Sequence, residues 1–271
     1  MLNPYMIAQM QNSEKFRDAL NRVVEITYPP QRIISLVPSI TELLFDLGLE
    51  KRIVGVTNFC VHPIEKTKTI THIGGTKDFD ITKILALKPD LVIANKEENP
   101  KNEILKLAEK VPVFVTHVTG LLSALQMIEQ VSQITNKTKE GWRIIEEIKA
   151  QFQKLKIPNK LKIAIYLIWR KPYMTVNGNT FIHDMMLRAG FQNTFSEKTE
   201  SYPVITAEEI KKSGAEIILL CSEPYRFKEK YISEFSNLLP NADVRLVDGE
   251  MFTWYGSRMR LAVDYFESLW K

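Results

Sequence analysis

Short runs of β-branched and aliphatic residues recur along the chain, and between them the apolar spacing switches to steps of three and four. The runs lie at 33–37, 53–56, 91–94, 113–115, 163–168, 217–221 and 244–247. Each is short, continuous and bounded by turn residues, the pattern of a buried strand. Helices are predicted between them from Ser39 to Gly48 and over 81–87, 102–110, 181–189, 207–212, 229–238 and 259–270. Ser39 and Glu42 have capping-box spacing. Ile40, Leu43, Leu44 and Leu47 form an apolar face, and Gly48 and Gly190 stand where helices end. Strand–helix alternation of this kind implies parallel sheets covered by helices.

A helical pattern then runs from about 121 to 155, with a break expected near Asn136. In its second part Trp142, Ile145, Ile148, Phe152 and Leu155 give an amphipathic stripe. The segment 84–93 (ILALKPDLVI) is echoed by 209–219 (EIKKSGAEIIL) as helix, turn and strand. The expected class is α/β: two α/β lobes with mostly parallel central sheets, joined by a long helix. The expected organisation is an N-terminal lobe over 1–118, a helical segment over 119–158 and a C-terminal lobe over 159–271.

Composition excludes several classes. With 271 residues, 45% hydrophobic and 25% charged, the chain has the make-up of a globular protein with a large core. The net charge of +4 is spread along the sequence, which gives no clustered basic face for nucleic acid. No apolar window reaches the length of a membrane span. Residues 1–22 are polar and mixed in charge and lack the apolar run of an export signal, so the sequence as it stands reads as not exported. Two cysteines, Cys60 and Cys221, make no disulfide framework. No GxSxG elbow, phosphate-binding P-loop or HExxH pair occurs, so no catalytic residue is assigned and no intrinsic cofactor is expected. Cys60 and His62 lie close enough to share a soft metal, although ordinary loop roles are the simpler reading.

The large and charged side chains gather just after the predicted strands, where open α/β sheets bind ligands. Phe59 follows the second run and Lys96 the third; Trp169, Arg170 and Tyr173 follow the first strand of the second half. Ser222–Tyr225 follows the next, and Trp254, Tyr255 and Arg258 follow the last. Aromatic rings beside arginines suit a planar, partly anionic ligand better than a bare metal ion.

The segment PQRIISLVPSITELL at 30–44, with IVGV at 53–56, ILALKPDLVI at 84–93 and YPVITAEEI at 202–210, resembles the helical-backbone substrate-binding proteins of ABC transporters for vitamin B12, iron-siderophores and haem. The resemblance covers nearly all of 22–271. It implies two α/β lobes joined by a rigid helix, here at about 137–155, and a ligand held in the cleft between them; by their position after the strands, Trp169, Arg170, Tyr173, Trp254, Tyr255 and Arg258 are expected to face that cleft from the second lobe and Phe59 and Lys96 from the first. It implies a binding protein and not an enzyme, a metal chelate (corrinoid, haem or iron-siderophore) as ligand, a periplasmic or cell-envelope location, a monomer and an ABC-transporter permease as partner. Glu208 matches a docking glutamate of the second lobe. On the first lobe Thr82 takes the equivalent place, with Asp80 two residues earlier as a displaced counterpart. Thr76 and Asn95 stand where corrinoid binders carry aromatic residues. The alternative is an intracellular metal-chelate-handling protein or enzyme on the same scaffold, with Cys60 or His62 supplying chemistry.

Overall fold

The computed structural model describes residues 12–271; the polar N-terminal stretch discussed above lies, over 1–11, outside them. The chain divides into two compact units. Unit 1 holds the described residues through His117 together with Leu125–Glu146, and unit 2 holds Val118–Ala124 together with Glu147–Lys271.

Unit 1 contains β1 (Ser13–Arg17), β2 (Val23–Thr27), β3 (Ile33–Ser35), α1 (Pro38–Asp46), β4 (Ile53–Val56), α2 (Ile64–Thr67), β5 (Thr71–His72), α3 (Ile81–Ala86), β6 (Leu91–Asn95), α4 (Lys101–Ala108) and β7 (Val113–Thr116). Its main sheet has the order β5-β4-β3-β6-β7, with every pair parallel. β3 and β6 are buried along their whole length, which is why they read as unbroken apolar runs and not as alternating ones. Ile34, Leu36, Val92 and Ala94 of this sheet pack with Ile84 from α3 and with Ile104 and Leu107 from α4.

Helix α1 begins one residue before the predicted cap. Pro38 occupies the first turn, where its fixed φ and missing N–H cost nothing, and Val37 precedes it with no side-chain cap. Ser39 therefore lies inside the helix, and the capping box expected from Ser39 and Glu42 does not form. The helix ends as predicted: Gly48 has φ of +75°, and its N–H bonds to the Phe45 carbonyl.

Helices α5 (Leu121–Ile134) and α6 (Thr138–Lys154) follow, and the unit boundaries fall inside them. The break between them is at Asn136, which takes a left-handed φ of +56°, a conformation asparagine tolerates better than most residues. The 17 residues of α6 match the long helix expected at about 137–155.

Unit 2 continues with β8 (Lys162–Leu167), β9 (Tyr173–Met174), α7 (Phe181–Arg188), β10 (Phe191–Asn193), β11 (Val204–Ile205), α8 (Ala207–Lys212), β12 (Ile217–Cys221), α9 (Ile232–Leu238), β13 (Asp243–Val247), α10 (Glu250–Thr253) and α11 (Met259–Ser268). Its sheet is β10-β8-β12-β13, again parallel throughout. The chain steps from β8 to one neighbour, β10, and later to the other, β12. The order therefore reverses between β8 and β12, and the C-terminal ends of those two strands are the switch point at which open α/β sheets bind ligands. Gly190, which ends α7 at φ +92°, lies against the Trp270 indole, and a Cβ there would come within 2.8 Å of the ring.

The antiparallel hairpin β1–β2 gives no β-α signal, and sequence reading missed it. Asp18 ties it down. Its side chain is fully buried; one oxygen accepts from the backbone N–H groups of Leu20 and Arg22, at 2.9 and 3.0 Å, and the other from the Arg22 guanidinium. That guanidinium also donates to the Val113 carbonyl at 2.9 Å, linking the hairpin to β7. Removing the carboxylate leaves these donors unpaired. Asp18→Ala is expected to lower unfolding stability by about 2–4 kcal/mol in urea titrations; a change within experimental error would show that the hairpin adds nothing to unit 1.

Candidate ligand-binding site

At the switch point of unit 2, the segments after β8 and β12 build one aromatic wall. Trp169 follows β8 and is 40% exposed. The backbone from Ile168 turns back on itself so that Met174 pairs with Ile168 and Trp169, which fixes where the indole projects. Its ring meets Tyr225, from the segment after β12, edge-on at 5.3 Å. Tyr225 donates to the Tyr231 hydroxyl at 3.2 Å, and this bond lowers the pKa of Tyr231 and raises that of Tyr225.

Behind this wall lies a salt bridge. The Arg170 guanidinium sits 4.4 Å over the Tyr231 ring and gives two hydrogen bonds, of 2.9 and 2.6 Å, to one oxygen of Glu234 on α9. The Tyr173 hydroxyl donates to the other oxygen at 2.7 Å. Burial pushes the Glu234 carboxyl up, but the bonds from Arg170 and Tyr173 outweigh it and hold it below its ordinary value. Burial and the same carboxylate push the Tyr173 phenol up to about 12, so it remains a donor. Three sequence-predicted residues, Trp169, Arg170 and Tyr173, thus come together. Glu234 and Tyr231 were missed: Glu234 lies 64 residues from Arg170 on a helix with no local signal. Tyr225 sat in a loop already singled out, but not among the predicted site residues.

Trp254, Tyr255 and Arg258 are placed differently. Trp254 is 6% exposed, and its ring is stacked by the Arg258 guanidinium at 4.9 Å. Arg258 pairs with Glu250 at 2.8 Å. Tyr255 is buried edge-on to Phe181 at 5.6 Å. All three are largely buried within unit 2: ring and cation satisfy one another, and the tyrosine packs against Phe181.

In unit 1, Phe59 projects from the segment after β4 and is 59% exposed. Its ring lies against Gly75, where an added Cβ would come within 3.2 Å of it. Lys96 is exposed after β6, its backbone held by the Thr116 carbonyl at 2.9 Å. Asn95 is buried and caps its own loop, accepting from the N–H groups of Glu97 and Glu98. Asn99 reinforces the loop through bonds to the Leu36 and Thr76 carbonyls. Cys60 is buried between the Thr41 and Thr57 hydroxyls, at 3.1 and 3.2 Å, and burial raises its pKa. It stays a protonated thiol, a poor metal ligand and a poor nucleophile. Among the described residues no group of three or more His, Cys, Asp and Glu side chains is placed to hold a metal ion. Nor is any described helix long and apolar enough to cross a membrane.

Glu208 is exposed on the first turn of α8, 2.9 Å from Lys211. The helix start is fixed by a full capping box between Thr206 and Glu209. Asp80 is also exposed, but one of its oxygens caps α3 through the Lys83 N–H at 3.0 Å. Thr82 is exposed on α3.

A family model described as "Periplasmic binding protein" matches residues 33–235. The vitamin B12-binding protein of Vibrio campbellii (strain ATCC BAA-1116) is 30% identical over 217 residues, 78% of either chain. Among solved structures, the periplasmic vitamin B12 binding protein BtuF of Vibrio cholerae superposes with a TM-score of 0.74 at 22% identity, over 90% of this chain and 99% of that one. The periplasmic haem-binding protein RhuT from Roseiflexus sp. RS-1 gives 0.75 at 20% identity, over 89% and 98%. At these identities the two structures speak for the fold.

The box that seats Glu208 has a pH signature. The Lys198 ammonium, with the Thr206 N–H and hydroxyl, pulls the Glu209 pKa down to about 2 from 4.5. A depressed carboxylate contributes stability that is fully present above its unfolded pKa and is lost as pH falls through its folded one. Glu209→Gln is therefore expected to flatten the loss of stability between about pH 4.5 and 2. Parallel acid titrations of variant and parent over that window would refute the assignment.

Proposed function

The chain belongs to the periplasmic binding protein family, and from that premise we propose that it captures a metal chelate, a planar corrinoid first and a haem or iron-siderophore second, for an ABC transporter in the cell envelope. The observation that carries this reading is the aromatic wall of unit 2. Trp169, Tyr225 and Tyr231 stand at the switch point of a parallel sheet, where such sheets bind ligands. Exposed aromatic rings gain by covering a flat conjugated ring. The curated relative at 30% identity, a vitamin B12-binding protein, supports a corrinoid as the first choice. On unit 1, Phe59 is the exposed ring after β4 and Lys96 the exposed cation after β6. Trp254, Tyr255 and Arg258 take the lesser role of holding the segment after β13.

The protein acts by binding and not by catalysis. Cys60, the most reactive group beside the unit 1 loops, is protonated and buried. Glu208 is the docking charge of unit 2, carried on a capped helix that holds it outward. Asp80 is its counterpart on unit 1, with part of its charge spent on α3.

Purified protein titrated with cyanocobalamin is expected to bind saturably, with quenching of tryptophan fluorescence. Trp169→Ala is expected to cost about 1–3 kcal/mol of affinity with the circular dichroism unchanged. Glu208→Ala is expected to keep that affinity and lower transport by the reconstituted permease. The reading fails if cyanocobalamin, haemin and a ferric siderophore all leave the fluorescence unchanged.

A further inference from the structure

The wall presents ring faces, yet its polar groups are turned on one another. The Trp169 indole N–H donates to the Lys171 carbonyl at 3.2 Å. The Tyr225 hydroxyl is spent on Tyr231, and the Tyr173 hydroxyl on Glu234. Arg170 gives both its Nε and an Nη to Glu234. Both carboxylate oxygens are in use, and the pair is three-quarters buried on each side, with side chains 22% and 25% exposed. These two bonds occupy the Nε–Nη edge of the guanidinium, and the largely buried carboxylate balances its charge.

We propose that Glu234 is a specificity-determining residue: by holding Arg170 and Tyr173 it withdraws both from the ligand, so the wall selects planar ligands by ring stacking and discriminates against those that need a cation for a peripheral carboxylate. This rests on the chelate-binding reading above and deepens it. Discrimination follows because an anionic ligand must either break the Arg170–Glu234 bonds or bring its carboxylate beside Glu234, where like charges repel. Lys171, Arg226 and Lys230 are exposed in the same segments, and their charges are screened by salt far more than the largely buried pair is. Neither the periodicity of α9 nor the loop motifs announces this role, because a neutralising carboxylate has no local sequence signature.

The test compares ligands that share one ring plane and differ in charge: haemin, with two free propionates, and haemin dimethyl ester. Cyanocobalamin is the third probe, and all are titrated at physiological ionic strength. The readout is the ratio of the ester Kd to the haemin Kd. In Glu234→Gln, Arg170 is released and the ratio is expected to rise about tenfold or more, the worth of a hydrogen bond to a charged group. In Arg170→Gln the ratio is expected to stay within about twofold of the parent, because the parent does not use that cation on the ligand. The double variant is expected to return to the parental ratio. An unchanged ratio in Glu234→Gln, or a tenfold fall in Arg170→Gln, overturns the proposal even if Glu234→Gln proves unstable, since the second variant stands alone. A parent that binds none of the three probes overturns the functional reading itself, and this inference with it.

Discussion

Parallel strand pairing is the constraint on which the molecule depends. A parallel pair cannot be closed by a tight turn, so each strand must return through a crossover, and every strand of a sheet ends on the same edge. In unit 2 this sends the segments after β8, β12 and β13 to one edge, and the order β10-β8-β12-β13 puts the switch point between β8 and β12. Trp169 and Tyr225 meet there because topology delivers them, although 56 residues of chain separate their numbers. Unit 1 repeats the arrangement with β5-β4-β3-β6-β7, which sets Phe59 and Lys96 just beyond strand ends.

What was legible in the sequence was what periodicity encodes. β6 and β12 are buried on every residue, so their apolar runs were unmistakable, and Gly48 and Gly190 marked helix ends because only a left-handed backbone fits there. The hairpin β1–β2 was not legible, because β1 is almost wholly exposed and carries no apolar stripe. The start of α1 was misplaced by one residue because Pro38 supplies by geometry what a capping side chain would supply by hydrogen bonding. The loops holding ligand candidates were found from their position after strands. Position cannot say which way a side chain turns, and so Trp169 is presented while Trp254 is buried under Arg258.

Charge compensation separates these two tryptophans in physical terms. Arg258 pairs with Glu250 and stacks on Trp254, closing the ring face that would otherwise be open. Arg170 pairs with Glu234 and stacks on Tyr231, which leaves Trp169 uncovered beside it. Two similar Arg–carboxylate–aromatic clusters thus have opposite consequences. One consolidates the segment before α11, and the other buttresses a wall whose rings remain available. Sequence composition treats the two alike, and only the partner carboxylates, 64 and 8 residues away, distinguish them.

The central claim is that the strand-end segments of unit 2 form the face that takes the ligand. Hydrogen–deuterium exchange with and without cyanocobalamin measures it most directly, because it reports each segment without altering the protein. The account predicts protection concentrated at 168–174 and 222–234, with a lesser effect around Phe59 and none in the hairpin β1–β2. Saturating ligand that leaves both unit 2 segments unprotected, or protects the hairpin instead, would contradict it.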